Sequence, residues 1–119
     1  MIVDDSATMR KIIKRVLRQA EIEFEDIVEA TNGVEALEQL SSNPDVALIL
    51  SDMNMPEMNG VELVKKVREQ KDATSLPIIM VTTEGADSRT ENAMGYGANG
   101  YVTKPFTADC IRDVLSEFI

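Results

Sequence analysis

The chain contains no histidine. That absence excludes Ser-His-Asp and Cys-His mechanisms and any zinc site built on imidazole. There is one cysteine, Cys110, so no internal disulfide can form and a reducing compartment fits. Cys110 stands one residue before the apolar stripe of the last helical segment and reads as inert. Positive charge is scarce: 12 Lys and Arg face 21 Asp and Glu, for a formal net charge of -9. Nucleic acid and anionic lipid both want a basic surface, so neither is expected as a direct partner. No apolar run is long enough to cross a membrane, and no signal peptide precedes the first motif, so a cytoplasmic location is expected. Repeats, linkers and low-complexity stretches are also missing.

What remains is one ordinary domain, residues 1–119, with 44% hydrophobic residues, enough for a single core. Short apolar runs alternate with helical patterns. Ile2 and Val3 open the chain as a strand. Ser6 can cap a helix with a stripe of Met9, Ile12, Ile13, Val16, Leu17 and Ala20. Ile27 and Val28 read as a second strand, followed by a helix with Val34, Leu37 and Leu40. Residues 46–50 are apolar throughout, as expected of a strand buried on both faces. A helix with Val61, Val64 and Val67 follows, then a strand over residues 78–81. Residues 87–94 form a weakly amphipathic helix. Tyr101 and Val102 make a fifth strand, and the last helix carries Ile111, Val114, Leu115 and Phe118. Five strands alternating with five helices predict a parallel sheet covered on both faces. Only three residues precede Asp4, against about five or six in a usual strand. The first strand is therefore expected to be clipped, with native residues missing upstream.

In open parallel sheets, ligands sit beyond the carboxyl ends of the strands. There the sequence places Asp4 and Asp5, Asp52, Thr82 and Thr83, and Lys104 with Pro105. The second strand contributes only Thr31 and Asn32, as an edge strand would. Like charges at ~4 Å cost roughly 4 kcal/mol per pair at an effective dielectric of about 20. Lys104 offsets part of this repulsion, and a hard divalent cation such as magnesium offsets more. With such a cation bound, a carboxylate becomes a nucleophile toward a phosphoryl donor. Each residue also has a plainer reading. Asp4-Asp5 can be a solvated capping turn, and Asp52 a loop aspartate. Thr82 can be a helix cap and Tyr101 an edge-strand aromatic. Met53, Met55 and Met58 read as adaptable packing rather than a soft-metal site. The acidic run from Glu21 to Glu29, with Glu84, reads as solvated surface.

The segments Ile2-Val3-Asp4-Asp5-Ser6, Ser51-Asp52-Met53-Asn54-Met55-Pro56, Asn59-Gly60, Val81-Thr82-Thr83-Glu84 and Gly100-Tyr101-Val102-Thr103-Lys104-Pro105-Phe106 together resemble the response-regulator receiver family. Within it, they resemble the single-domain chemotaxis members of the CheY type. One such segment is weak; five in order are specific. The resemblance implies a flavodoxin-like, doubly wound α/β fold of five parallel strands in the order 2-1-3-4-5 with five helices. It implies that Asp52 is the phosphoacceptor and that Mg2+ is the cofactor. Asp5, Asp52 and the backbone carbonyl of Asn54 would be ligands, with Asp4 acting through water. Lys104 would pair with the phosphoryl group, Thr82 and Tyr101 would form the switch, and Asn54 and Glu84 would tune dephosphorylation. The Lys104–Pro105 peptide would be cis.

The partners implied are a histidine kinase of chemotaxis type, a downstream target such as the flagellar motor switch, and a phosphatase, with the chain itself a monomer. Such a protein is not an enzyme beyond its own phosphorylation and dephosphorylation. The output surface is expected on residues 87–101 and the adjoining face of the last helix. The main competing reading is a receiver taken from a multidomain regulator such as a transcription factor. A haloacid-dehalogenase-type phosphatase would want an aspartate where Asn54 stands. A flavodoxin-like cofactor binder would not place Asp4-Asp5 against phosphate.

Overall fold

The computed structural model describes residues 1–119 except Glu23, Glu25, Asn54, Pro56, residues 83–87, Pro105, Phe106 and Ile119; for residues 88–90 it describes the backbone. The elements are β1 (Ile2–Val3), α1 (Ala7–Gln19), β2 (Glu29–Ala30), α2 (Gly33–Ser42), β3 (Ile49–Asp52), α3 (Gly60–Arg68), β4 (Ile78–Thr82), α4 (Ser88–Gly95), β5 (Gly100–Thr103) and α5 (Ala108–Leu115). The strands form one sheet in the order β2-β1-β3-β4-β5, and every pairing is parallel.

Strand side chains alternate between faces, and this splits the core in two. Ile2, Leu50, Ile79, Val81 and Val102 point to one face, where Ile13, Val16 and Leu17 of α1 and Ile111 and Leu115 of α5 cover them. Val3, Ile49, Ile78 and Met80 point to the other, under Ala36 of α2, Leu63, Val64 and Val67 of α3, and Ala93 of α4. Burial on both faces explains why the strands read as unbroken apolar runs.

Among the described residues, side-chain oxygens cap four helices. Ser6 accepts from the Met9 amide at 3.2 Å, Asn32 from Glu35 at 2.8 Å, Asn59 from Glu62 at 2.9 Å and Thr107 from Cys110 at 3.2 Å. Each such cap is worth about 1 kcal/mol. The far end of α1 closes in a Schellman motif: Ile22 N–H donates to Leu17 O and Glu21 N–H to Arg18 O, both at 3.0 Å. Glu21 takes the left-handed position, φ 61°, that glycine usually fills.

Three expectations shift. The second strand lies at Glu29–Ala30, two residues later than Ile27 and Val28. β1 offers only Ile2 and Val3 for pairing, and these register with Glu29 and Ala30, so Val28 contributes just its carbonyl, bonded by Ile2 N–H at 2.9 Å. β3 begins at Ile49, and Ala47 is exposed on its approach, so the run over residues 46–50 is not buried throughout. Val34 is 41% exposed, not part of the α2 core stripe. Gly33 N–H bonds to Met58 O at 3.2 Å, and the buried positions of α2 are Gly33 and Ala36.

Candidate functional site: an acidic rim at the strand ends

Parallel register brings the chemistry to one edge. Asp4 follows the last residue of β1, and Asp52 ends β3. Thr82 ends β4, and Lys104 follows β5. Carboxylate oxygens of Asp4, Asp5 and Asp52 all lie within 4.8 Å of one another. Lys104 Nζ reaches into the group, 3.3 Å from Asp52 Oδ1 and 3.6 Å from Asp4 Oδ2.

Each carboxylate is held differently. Asp4 is buried, and its Oδ1 accepts from Ser6 N–H at 2.9 Å. Its Oδ2 is the buried side-chain oxygen that no hydrogen bond reaches among the described residues. Burial is the main cause that pushes the Asp4 carboxyl above its ordinary range; the charges of Asp52 and Asp5 add to this, and the Ser6 amide and Lys104 oppose it. Asp5 is exposed. Asp52 Oδ1 accepts from Met53 N–H at 2.8 Å as well as from Lys104. The loop after Asp52 is pulled in by Gly60, whose N–H bonds Met53 O at 3.0 Å. A Cβ on Gly60 would come within 2.4 Å of Asp52 O and 2.6 Å of Met80 Cε. Only glycine allows this approach, and the carboxylate-bearing end of β3 depends on it.

Three carboxylates meeting one ammonium, with one buried oxygen left without a hydrogen bond, suit a small hard cation that takes oxygen ligands. Asp4, Asp5 and Asp52 are the described residues able to hold it. Thr82 is buried, and its backbone carbonyl accepts from Lys104 N–H at 2.6 Å. Tyr101 is half-buried in β5 and packs against the α2, α3 and α4 side of the core. Asn54, Glu84 and the Lys104–Pro105 peptide lie outside the described residues in whole or part. Cys110 is a free, exposed cysteine. Met53 is buried, and Met55 and Met58 pack against the same core, as adaptable filling should. A cleft of about 410 Å³ opens at the opposite rim, lined by Met1, Phe24, Val28, Pro44 and Leu48 among others. Volume and chemistry therefore sit at opposite ends of the sheet, and the chemistry decides the site.

One residue read from sequence as solvated surface is not. Glu29 accepts from Arg10 Nε at 3.0 Å and pairs with Lys14 Nζ at 2.7 Å. Arg10 Nη1 also donates to the backbone carbonyl of Asp4. These partners lie 15 and 19 residues from Glu29, so no local spacing reveals them.

The response regulator receiver domain family matches this chain over residues 1–116. The chain belongs to that family. It is 47% identical to the chemotaxis protein CheY homolog of Campylobacter jejuni, over all 119 residues and 90% of that protein. The solved chemotaxis response regulator CheY4 of Vibrio cholerae superposes with a TM-score of 0.81 at 34% identity, covering 99% of this chain and 95% of that one. A probable two-component system response regulator/GGDEF domain protein superposes with a TM-score of 0.87 at 30% identity, and this chain spans 46% of its length. The receiver described here is thus a phosphoacceptor switch of two-component signalling, homologous to CheY chemotaxis regulators. Its fold is the doubly wound order expected from sequence. Among the described residues, no helix is long and apolar enough to cross a membrane.

Proposed function

We propose that Asp52 takes the phosphoryl group, that Asp5 and Asp52 hold Mg2+ with Asp4 acting through water, and that the product changes partner binding in chemotaxis. The observation that carries this is the Asp52 carboxylate at the end of β3, with Asp4 and Asp5 within 4.8 Å and Lys104 at 3.3 Å. One Asp52 oxygen attacks phosphorus in line with the leaving group. The new O–P bond forms as the donor's P–N or P–O bond breaks, and the leaving group takes a proton from solvent. Lys104 neutralises one developing charge, and the Met53 amide fixes the rotation of the Asp52 carboxylate. When bound, Mg2+ supplies positive charge to the phosphoryl oxygens.

Asn54 is assigned a backbone ligand role, and Asn54 and Glu84 the tuning of dephosphorylation. Thr82 turns its hydroxyl toward the phosphoryl group, and Tyr101 follows into the vacated space. The upstream partner is a histidine kinase of chemotaxis type, the downstream one a target such as the flagellar motor switch, with a phosphatase resetting the signal. The chain acts in the cytoplasm as a monomer, and its only catalysis is on itself. Output runs through residues 87–101, where Met94 and Tyr96 are exposed. A second reading, a receiver serving an attached output domain, draws on the GGDEF-containing protein, of which this chain matches only part.

The test is to incubate the chain with a small phosphodonor and magnesium and map the modification by mass spectrometry. One phosphoryl group is expected on Asp52, lost in Asp52→Asn. Phosphate on Ser51 or Thr82 would refute the assignment.

A further inference from the structure

Asp5 is the least anchored of the three rim carboxylates. It is exposed, and among the described residues no hydrogen bond fixes its side chain. Its placement must come through the backbone. The peptide between Asp4 and Asp5 is planar, so fixing the Asp4 carbonyl also fixes the nitrogen and Cα of Asp5. One side chain holds that carbonyl: Arg10 Nη1 donates to Asp4 O at 2.5 Å. The Arg10 side chain is only 14% exposed, and its Nε is held by Glu29 at 3.0 Å. Glu29 is in turn fixed by Lys14 at 2.7 Å and by its place in β2, where it registers with Ile2. The other side of Asp4 is tied to the same strand, since Asp4 N–H donates to Ala30 O at 3.1 Å.

We propose that Arg10 is a positioning residue of the cation site: its fork joins Glu29 to the Asp4 carbonyl and thereby sets the direction from which Asp5 presents its carboxylate. The inference rests on the magnesium reading above. It makes a counterintuitive demand. Arg10 is a cation beside a cation site, so as a mere charge it would weaken magnesium binding. As a positioner it strengthens it. The two roles predict opposite signs.

The experiment is calorimetric titration of the full chain with magnesium chloride, using wild type, Asp5→Asn, Arg10→Gln and Arg10→Lys, with urea melts in chelator to register folding. Wild-type binding that is lost in Asp5→Asn upholds the site itself. Absence of binding in wild type would fail the magnesium reading, a result distinct from failure of the Arg10 role. Arg10→Gln is expected to bind about 10-fold more weakly, the low end of the cost of removing a ligand's outer partner. Unchanged or tighter binding in a folded Arg10→Gln would overturn the proposal. Should Arg10→Gln fail to fold, Arg10→Lys decides. It keeps the charge but lacks the planar fork whose two separate nitrogens, Nε and Nη1, hold Glu29 and the Asp4 carbonyl in fixed directions. A several-fold loss supports positioning, and wild-type affinity overturns it.

Discussion

Lys104 offers the sharpest test of how the rim is balanced. Its ammonium lies 3.3 Å from Asp52 Oδ1 and 3.6 Å from Asp4 Oδ2, with the side chain 17% exposed. At an effective dielectric of about 20, each contact is worth about 5 kcal/mol of Coulomb attraction before desolvation. Burying the ammonium and fixing a long side chain offset much of that. Removing one partner of a buried pair costs about 3–5 kcal/mol, mainly because the other charge is left uncompensated. Met keeps the apolar stem, so Lys104→Met removes the charge with little packing change. Here it leaves two carboxylates uncompensated, but Asp52 is partly open to water, so the low end, about 3 kcal/mol, is the expected loss.

Urea denaturation in chelator measures it directly. With a slope of about 2 kcal/mol per molar, the midpoint should fall by roughly 1.5 M. The same change removes the ammonium that competes with a bound cation. Magnesium should therefore bind Lys104→Met about 10-fold more tightly, a gain of about 1.4 kcal/mol. Saturating magnesium should then restore much of the lost stability by mass action. A metal-free midpoint equal to that of wild type, or magnesium affinity that stays level or falls, would refute the charge balance argued here.

Glu29 gives a pH signature. Its pairing, first with Lys14 and then with Arg10, holds its carboxyl below the ordinary value of 4.5. A depressed acid contributes stability above its unfolded pKa and loses it as pH falls through the folded one. Urea midpoints of wild type should therefore fall more steeply below about pH 4.5 than those of Glu29→Gln. Glu21→Gly should raise stability by about 1 kcal/mol in thermal or urea melts, because φ 61° is strained for glutamate and free for glycine. Gly97→Ala should destabilise by about 1–2 kcal/mol: its φ is 114°, and the new Cβ would lie 2.9 Å from Arg68 Nε. Gly95→Ala, where nothing lies within 4 Å, should be neutral or stabilising by up to about 1 kcal/mol, and the contrast between the two is read in one denaturation series.

Alternation of apolar strands with striped helices was enough to read a parallel sheet covered on both faces, because a striped helix buries one face and an unbroken apolar strand buries both, while the strand order was legible only through the resemblance to the receiver family. Ile13, Val16 and Leu17 show this in α1, and residues 78–81 show it in β4. Strand bounds were less legible. Nothing in Ile27 and Val28 says which residues the short β1 pairs with; that depends on Ile2 facing Glu29 across the ladder. Val34 misled for a similar reason. Its spacing fits the α2 stripe, but the close seat of Gly33 on Met58 leaves Val34 facing outward. The rim carboxylates and Lys104 were legible because strand ends in a parallel sheet converge by rule. Arg10 and Glu29 were not, since an ion pair between a helix and the next strand leaves no mark in local spacing. Nor did the sequence disclose that Arg68 spreads its guanidinium over the carbonyls of Gly97, Lys71, Asp72 and Leu76 and the side chain of Asn99. That node ties the end of α3 to the α4–β5 turn.

The rim's charge count explains why a buried, incompletely satisfied Asp4 is tolerated. Three carboxylates against one ammonium leave a formal charge of -2 when all are ionised. One divalent cation cancels it, while a second lysine in place of the cation would leave the rim still negative. Lys104 cannot cancel it alone: it already serves two carboxylates, and the Asp4 oxygen it approaches at 3.6 Å lies beyond hydrogen-bond reach. On the proposed chemistry, phosphorylation replaces the single charge of Asp52 with about -2, so the neutral loaded rim gains about one negative charge. That increment is small and appears at one place, beside the ammonium already drawn toward Asp52. The ammonium's own backbone is tied to the end of β4, through Lys104 N–H to Thr82 O at 2.6 Å and the register of Thr82 with Thr103. A lysine that shifts to follow the added charge therefore acts on the last peptide of β4, from which the chain runs on to α4. The same strand-end register that gathers the acids thus ties the ammonium they share to the end of β4, next to the segment proposed for output.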